Sequence, residues 1–310
     1  MSLDRHAQRF LRMLALSGPT SPGDVAERRR GMETLCDLGE GDIEPGVLTR
    51  DLAIPSAADE IAARLYRPDD RPEPLPALIY LHGGGWGAGS LRTHDGVCRR
   101  LASAAGCAVL ALDYRLAPEH PFPAGLDDAL VAIGWTLEQA GALGIDPARL
   151  GVAGDSAGAG IAAAAAKILL ERGGPRLALQ LLVCPILDIA RESASRRDLA
   201  EGYFLDSATM AADVARYVPP GVDPADPRLS PLLAEDLSGL PPALIHTAQF
   251  DPFRDEGEAY ARRLQEAGVP TQHTDHAGMI HYFYALPRPI PYAREAARMI
   301  GAQVRAAFGA

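Results

Sequence analysis

The sequence predicts an α/β fold, a central and mostly parallel sheet with helices packed on both faces. Three observations carry this. From about residue 77 onward, short apolar runs alternate with stretches of helical periodicity, the order expected when each strand is followed by a crossover helix. The runs are continuous rather than alternating, as strands are when both faces of their sheet are covered. The 310 residues are 47% hydrophobic and 23% charged, which is ordinary for a globular chain and sufficient for a large core.

Taken in order, residues 1 to about 40 read as one or two short helices, because Phe10, Met13, Leu14 and Leu16 recur near helical spacing before "SGPTSPGD" interrupts them. "VLTRDLAIP" and "IAARLYRP", parted by the turn-like "SAADE", predict two antiparallel strands. After Pro-rich "RPDDRPEPLP", strands are predicted at "ALIYL" (77–81), "AVLALDY" (108–114), "RLGVAG" (149–154), "LALQLLVCP" (177–185), "ALIHTAQ" (243–249) and, more weakly, "TQHTD" (271–275). Helices are predicted at about 94–105, 126–140, 157–172 and 255–267. Residues 190–240 break the alternation with charged, proline-rich and helix-like pieces too long for a crossover, which predicts an inserted lid.

Composition also excludes. A formal net charge of −10 argues against nucleic acid or an anionic membrane as partner, since phosphate binding depends on Lys and Arg. Cys36, Cys98, Cys107 and Cys184 form no CxxC pair and lie far apart, so neither a zinc knuckle nor a disulfide framework is expected. "MSLDRHAQRFLRMLALSG" carries charge throughout and lacks the apolar stretch of a secretory signal, while "AGAGIAAAAAKILL" is too short to span a bilayer and holds Lys167. The expectation is a cytoplasmic protein without stable membrane association; homodimerisation is left open.

The run "LHGGGWGAGS" (81–90) places unusual backbone freedom after an apolar strand. It is not a phosphate loop. Gly84 and Gly89 have Walker separation, but Ser90 and Leu91 stand where Lys and Ser or Thr are needed, and a GxGxxG frame from Gly83 or Gly85 ends on Ala88 or Ser90. A second glycine-rich stretch, "GVAGDSAGAG", contains Gly154-Asp155-Ser156-Ala157-Gly158, which fits G-x-S-x-G at a strand-to-helix junction. That context suits a tight elbow presenting Ser156 Oγ, with Ala162 to Ala166 letting the next helix approach the sheet. The motif alone leaves this level with a second reading, in which Ser156 caps the helix.

A serine needs a base to take its proton and an acid to orient that base. Among the later histidines, His246 falls inside an apolar strand and His273 alternates within a short one, whereas His276 and His281 fall in "HAGMIHYF", read as the loop after the last strand. For the acid, "DPFRDE" offers Asp251, Asp255 and Glu256; Asp251 comes first after the strand, and Asp255 suits the start of the next helix.

Together "HGGGW" (82–86), "DYRLAPEHPFPA" (113–124), "GDSAG" (154–158), "DPFRDE" (251–256) and "GMIH" (278–281) resemble the hormone-sensitive-lipase-like branch of the α/β-hydrolases, in order and over about 200 residues. The resemblance implies Ser156 as nucleophile, Asp251 as orienting acid and His281, ahead of His276, as general base. It implies oxyanion donors from two of Gly83, Gly84 and Gly85 together with Ala157. It implies a catalytic domain at 46–189 and 241–310, with 1–45 and 190–240 as a helical cap. Trp86, Tyr203 and Phe204 become candidate pocket walls, and Tyr114, Arg115 and Glu119 become loop braces. The implied activity is a serine carboxylesterase cleaving short- to medium-chain esters through an acyl-enzyme, with no metal or organic cofactor. An amide hydrolase or deacetylase of the same fold, and a non-catalytic ligand-binding protein, are the alternatives. One departure stands out: Tyr282 follows His281 where many members have Gly.

Overall fold

The computed structural model describes residues 2–16, 24–41, 44–57 and 59–309. Its strands are β1 (Leu48–Ile54), β2 (Ile61–Arg67), β3 (Leu75–Leu81), β4 (Ala108–Leu112), β5 (Ile145–Asp155), β6 (Gln180–Val183), β7 (Ala243–Phe250) and β8 (Thr271–Ile280). Its helices are α1 (Arg5–Leu16), α2 (Val25–Gly39), α3 (Asp95–Ala105), α4 (Ala124–Glu138), α5 (Ala140–Leu143), α6 (Ala157–Glu171), α7 (Ala194–Asp198), α8 (Ser207–Tyr217), α9 (Arg254–Glu266) and α10 (Tyr292–Ala307).

The strands form one eight-stranded sheet in the order β1-β2-β4-β3-β5-β6-β7-β8. β1 with β2 and β2 with β4 are antiparallel, and the remaining pairs are parallel. Every residue of β3 and β4 is buried, which is why both read as uninterrupted apolar runs. Successive β3 side chains serve opposite faces. Leu75, Ala77, Ile79 and Leu81 join Ile133 of α4, Ala162 of α6 and Leu264 of α9, whereas Leu78 and Tyr80 join Leu101 of α3 and Val304 of α10.

The chain departs from expectation at several ends. The predicted strands at 108–114 and 177–185 shorten to β4 and β6, β5 starts earlier at Ile145, and β8 runs on to Ile280. Helix α10 was not foreseen; it packs on α3 so closely that a Cβ on Gly301 would lie 2.3 Å from Ala104 Cβ. The break expected after α1 falls mostly on residues 17–23, outside the described residues, as does residue 58 of the turn between β1 and β2. Residues 190–240 contain no strand; they carry α7, α8 and one 3-10 turn at Pro231–Leu233.

Candidate active site

Ser156 stands at the turn from β5 into α6 with φ 52° and ψ −122°, a left-handed conformation that costs a non-glycine residue about 1–3 kcal/mol. Flanking glycines make the turn possible. A Cβ on Gly158 would sit 2.1 Å from Leu81 O, and one on Gly154 would sit 2.6 Å from the Gly158 carbonyl carbon. Although Ser156 occupies the N-cap position of α6, its side chain makes no capping bond. Its Oγ lies instead 3.0 Å from His281 Nε2. This is the observation that separates the two readings of the motif.

His281 follows directly on the end of β8, and its Nδ1 lies 2.7 Å from Asp251 Oδ2. Asp251 Oδ1 accepts the Phe253 amide at 2.9 Å, so both carboxylate oxygens are held. All three side chains are buried, with Ser156 the most open at 6% exposure. The Cys184 sulfur, Asp251 and His281 offer ligand atoms within 4.8 Å of one another, the one such metal-like cluster among the described residues. Its His–Asp contact is already a hydrogen bond, and burial and the Asp251 carboxylate push the Cys184 thiol well above its usual range, which keeps its proton in place.

One expectation needs correction. His276 lies within β8 and not in a loop: its Nε2 is 3.1 Å from His246 Nδ1 and its Nδ1 is 3.0 Å from Tyr292 Oη, so both ring nitrogens are engaged inside the fold. Burial pushes His246 down to about 3 and His276 to about 4. Asp255 lies in the first turn of α9, as expected; its Oδ2 accepts the Ser195 amide at 2.8 Å and its Oδ1 pairs with Arg254. The neighbouring Glu256 is buried, receives the Leu187 and Asp188 amides on Oε2, and faces Arg196 at 2.7 Å from Oε1. Burial outweighs these donors and pushes its carboxyl up to about 7.

The glycine run after β3 folds into three successive left-handed residues, Gly84 (φ 125°), Gly85 (φ 61°) and Trp86 (φ 57°). Gly84 O accepts the amides of Gly87 and Ala88, closing the loop on itself. The Tyr114 hydroxyl donates to His82 O at 2.7 Å, and Arg115 forks onto Asp128. Glu119 holds Arg29, which also donates to Gly87 O and Ala117 O. Behind Ser156, the carboxylate of Asp155 accepts hydroxyls from Tyr80 at 2.7 Å and Tyr284 at 2.6 Å. Burial alone would raise Asp155, but His94 at 3.4 Å and these hydroxyls outweigh it and hold the group at about 2.

A cavity of about 460 Å³ opens over Ser156 and His281. Gly84, Gly85 and Trp86 line it and Gly83 does not; a Cβ on Gly83 would meet Asp155 Oδ2 at 2.2 Å. Its apolar wall includes Met32, Ile186, Phe204, Leu205, Met210 and Phe253. Trp86 lines the cavity and also packs, its ring stacked on Tyr217 at 4.6 Å. Phe204 stacks over His281 at 6.5 Å and Tyr282 at 5.8 Å. Tyr203 is not a wall residue: Phe204 (φ 83°) lines the cavity, whereas Tyr203 stacks on Phe250. Tyr282 takes φ 67°, the conformation that suits a Gly, and adds its ring to the cavity.

The family model for the alpha/beta hydrolase fold matches residues 78–285. The chain belongs to the α/β-hydrolase family. Among relatives of this α/β-hydrolase, Carboxylesterase NlhH of Mycobacterium tuberculosis is 43% identical over 241 residues, 76% of this chain and 75% of that protein. An ethyl acetate hydrolase of Pseudomonas putida is 40% identical over 283 residues, 89% of this chain and 88% of its own length. In three dimensions, an ester-hydrolase from the metagenome of Lake Arreo, solved with a derivative of bipyridine phosphonate, superposes with a TM-score of 0.96 at 42% identity, covering 99% of this chain and 100% of that one. The hydrolase motifs that suggested the hormone-sensitive-lipase-like branch all fall within or beside the matched span.

Proposed function

We propose that the chain is a serine carboxylesterase in which Ser156, His281 and Asp251 are the catalytic triad. The carboxylesterase and ethyl acetate hydrolase names of its relatives support ester hydrolysis. The single observation that carries the residue roles is the unbroken contact from Asp251 through His281 to Ser156 Oγ, at the floor of a cavity with an apolar wall.

In acylation, His281 Nε2 takes the Ser156 proton as Oγ attacks the ester carbonyl, and the carbonyl oxygen becomes an oxyanion. Asp251 holds the imidazolium through Nδ1. The imidazolium then gives its proton to the alcohol oxygen as the carbonyl C–O bond breaks, leaving acyl-Ser156. Water, deprotonated by the same nitrogen, attacks the acyl carbon, and Oγ leaves with the returned proton as the carboxylic acid departs. Gly84, Gly85 and Ala157 are the oxyanion donors. Their amides make no backbone hydrogen bond to a described residue, and both glycines line the cavity. Fixed donors of this kind are worth about 3 kcal/mol each to the transition state.

Substrates are esters with short to medium acyl chains, the size that a cavity of about 460 Å³ with an apolar wall accommodates. Segments 1–45 and 190–240 act as a cap over 46–189 and 241–310, a division supported by Met32 of α2 and Met210 of α8 lining the cavity from outside the sheet. The four free thiols suit a reducing compartment, on which ground we assign the cytoplasm. No helix among the described residues is long and apolar enough to cross a membrane.

The test is turnover of 4-nitrophenyl esters of rising acyl length by the wild type and Ser156→Ala. The reading expects a maximum at short or medium chains and loss of turnover in the variant. A wild type inactive on every ester, or an active variant, overturns it.

A further inference from the structure

We infer that Asp213, bound by Arg28 and Arg216, is a positioning residue that holds the oxyanion-donor loop from the cap side, an inference that rests on the ester-hydrolysis reading above. The loop needs such a support. β3 ends at Leu81, so no strand pairing fixes the segment; Gly84 and Gly85 bring backbone freedom, and Trp86 is a non-glycine residue held at φ 57°.

Three contacts grip it from outside the sheet. Asp213 of α8 presses on Gly85, where a Cβ would meet Asp213 Oδ2 at 2.0 Å. Tyr217, at the end of α8, stacks on the Trp86 ring with an interplanar angle of 4°. Arg29 of α2 donates to Gly87 O at 2.9 Å. Arg28 on α2 then joins the two helices, reaching Asp213 Oδ2 at 3.2 Å while Arg216 takes Oδ1 at 2.7 Å.

Charge gives the same answer as geometry. Asp213 is 5% exposed, and a lone carboxylate packed against Gly85 and lining the cavity would oppose the negative charge that develops on the substrate oxygen. Two guanidiniums reverse the sign of the unit to net positive. Asp213 and Arg28 also line the cavity, so the unit lies within electrostatic reach of the reacting centre. The carboxylate is therefore a mechanical contact whose charge is outweighed by the two residues that hold it.

The experiment compares wild type, Asp213→Asn, Arg28→Gln and the double variant in three measurements. With 4-nitrophenyl butyrate, each single substitution lowers kcat by about 10- to 100-fold with little change in KM, the range expected when oxyanion donors are displaced. The inhibition constant of an alkyl trifluoromethyl ketone, whose adduct with Ser156 carries an oxyanion, rises in parallel with the loss in kcat/KM. The double variant is no worse than the weaker single one, because both break one unit. Hydrogen exchange of peptides spanning 84–89 becomes faster in all three variants. A rise in KM with kcat intact would make the pair a substrate contact, and unchanged exchange would remove the support role; either result overturns the inference. If Asp213→Asn does not fold, Arg28→Gln, with its side chain 20% exposed, carries the test. Exchange is independent of turnover, so a wild type that cleaves no ester overturns the esterase reading while exchange still decides this one.

Discussion

Tyr284 donates its hydroxyl to the buried carboxylate of Asp155 at 2.6 Å, joining the segment that carries His281 to the residue preceding Ser156. The two partners are 129 positions apart in the chain, and the bond spans the two halves of the site. Tyr284→Phe leaves a fully buried anion one donor short, which is expected to lower unfolding free energy by about 1.5–3 kcal/mol at neutral pH. Asp155 has a folded value of about 2, below the unfolded carboxylate, so its contribution is present above about pH 4 and is lost as pH falls toward 2. Urea denaturation of both proteins from pH 7 to pH 3 should show their stability difference shrinking across the lower end. A constant difference would mean that Asp155 is not charged in the native state.

The two aspartates of "DPFRDE" should separate cleanly. Asp251→Asn removes the acceptor that orients His281 and is expected to lower kcat by about 10³- to 10⁴-fold. Asp255→Asn should leave kcat near wild type and cost about 1 kcal/mol of stability, because Ser195 at the start of α7 loses its charged acceptor. Steady-state kinetics beside thermal denaturation check both. Similar losses of kcat in the two variants would refute the assignment.

What could be read in the sequence follows from how locally each feature is encoded. The parallel strands were legible because burial on both faces makes them continuous apolar runs. α10 is harder to read, because its buried face of Ala293, Ala296, Ile300, Gly301 and Val304 mixes small residues with only two large apolar ones, in a segment that begins just after the proline-rich "PRPIP". The sequence marks β8 only as far as 275 because it is an edge strand with exposed positions and Gly278 within it, which is why His276 reads as a loop residue. The Ser156 elbow is a five-residue motif and could be read directly. Asp155 sits at the free position of that motif, and its partners Tyr80 and Tyr284 are distant in sequence, so only the fold brings them together. Arg28 and Asp213, 185 positions apart, are illegible for the same reason.

The buried pair His246 and His276 predicts how the fold responds to acid. Both are neutral when folded, at about 3 and about 4, whereas an unfolded histidine takes up a proton near pH 6.5. Depressed folded values mean that the contribution is complete above about pH 6.5 and is lost as pH falls toward 4. Each such histidine adds a slope of about 1.4 kcal/mol per pH unit within that window. His82, also held at about 4, adds to the wild-type slope and is untouched by changes at position 276. Denaturant titrations between pH 7.5 and 4.5 should therefore give a shallower dependence for His276→Gln, by about one proton, with turnover retained. An equal slope would mean that His276 is not neutral in the fold, and loss of turnover would reopen its candidacy as the base.

The adjacent aromatics Tyr203 and Phe204 give the sharpest test of the cavity wall. Phe204 lies parallel to Tyr282 and over His281, so Phe204→Ala removes a ring from the space above the reacting centre while keeping the Cβ and the backbone strain at that position. The cavity enlarges beside Ser156, and the preferred acyl chain should lengthen, read as a shift in the maximum of kcat/KM across 4-nitrophenyl esters. Tyr203→Ala removes only the stack on Phe250, at a cost of about 1 kcal/mol in stability, and should leave the chain-length profile where it is. The two neighbours part company here, one ring lining the cavity and the other lying against Phe250 at the end of β7. A profile that moves with Tyr203→Ala and not with Phe204→Ala would reverse which ring bounds the substrate.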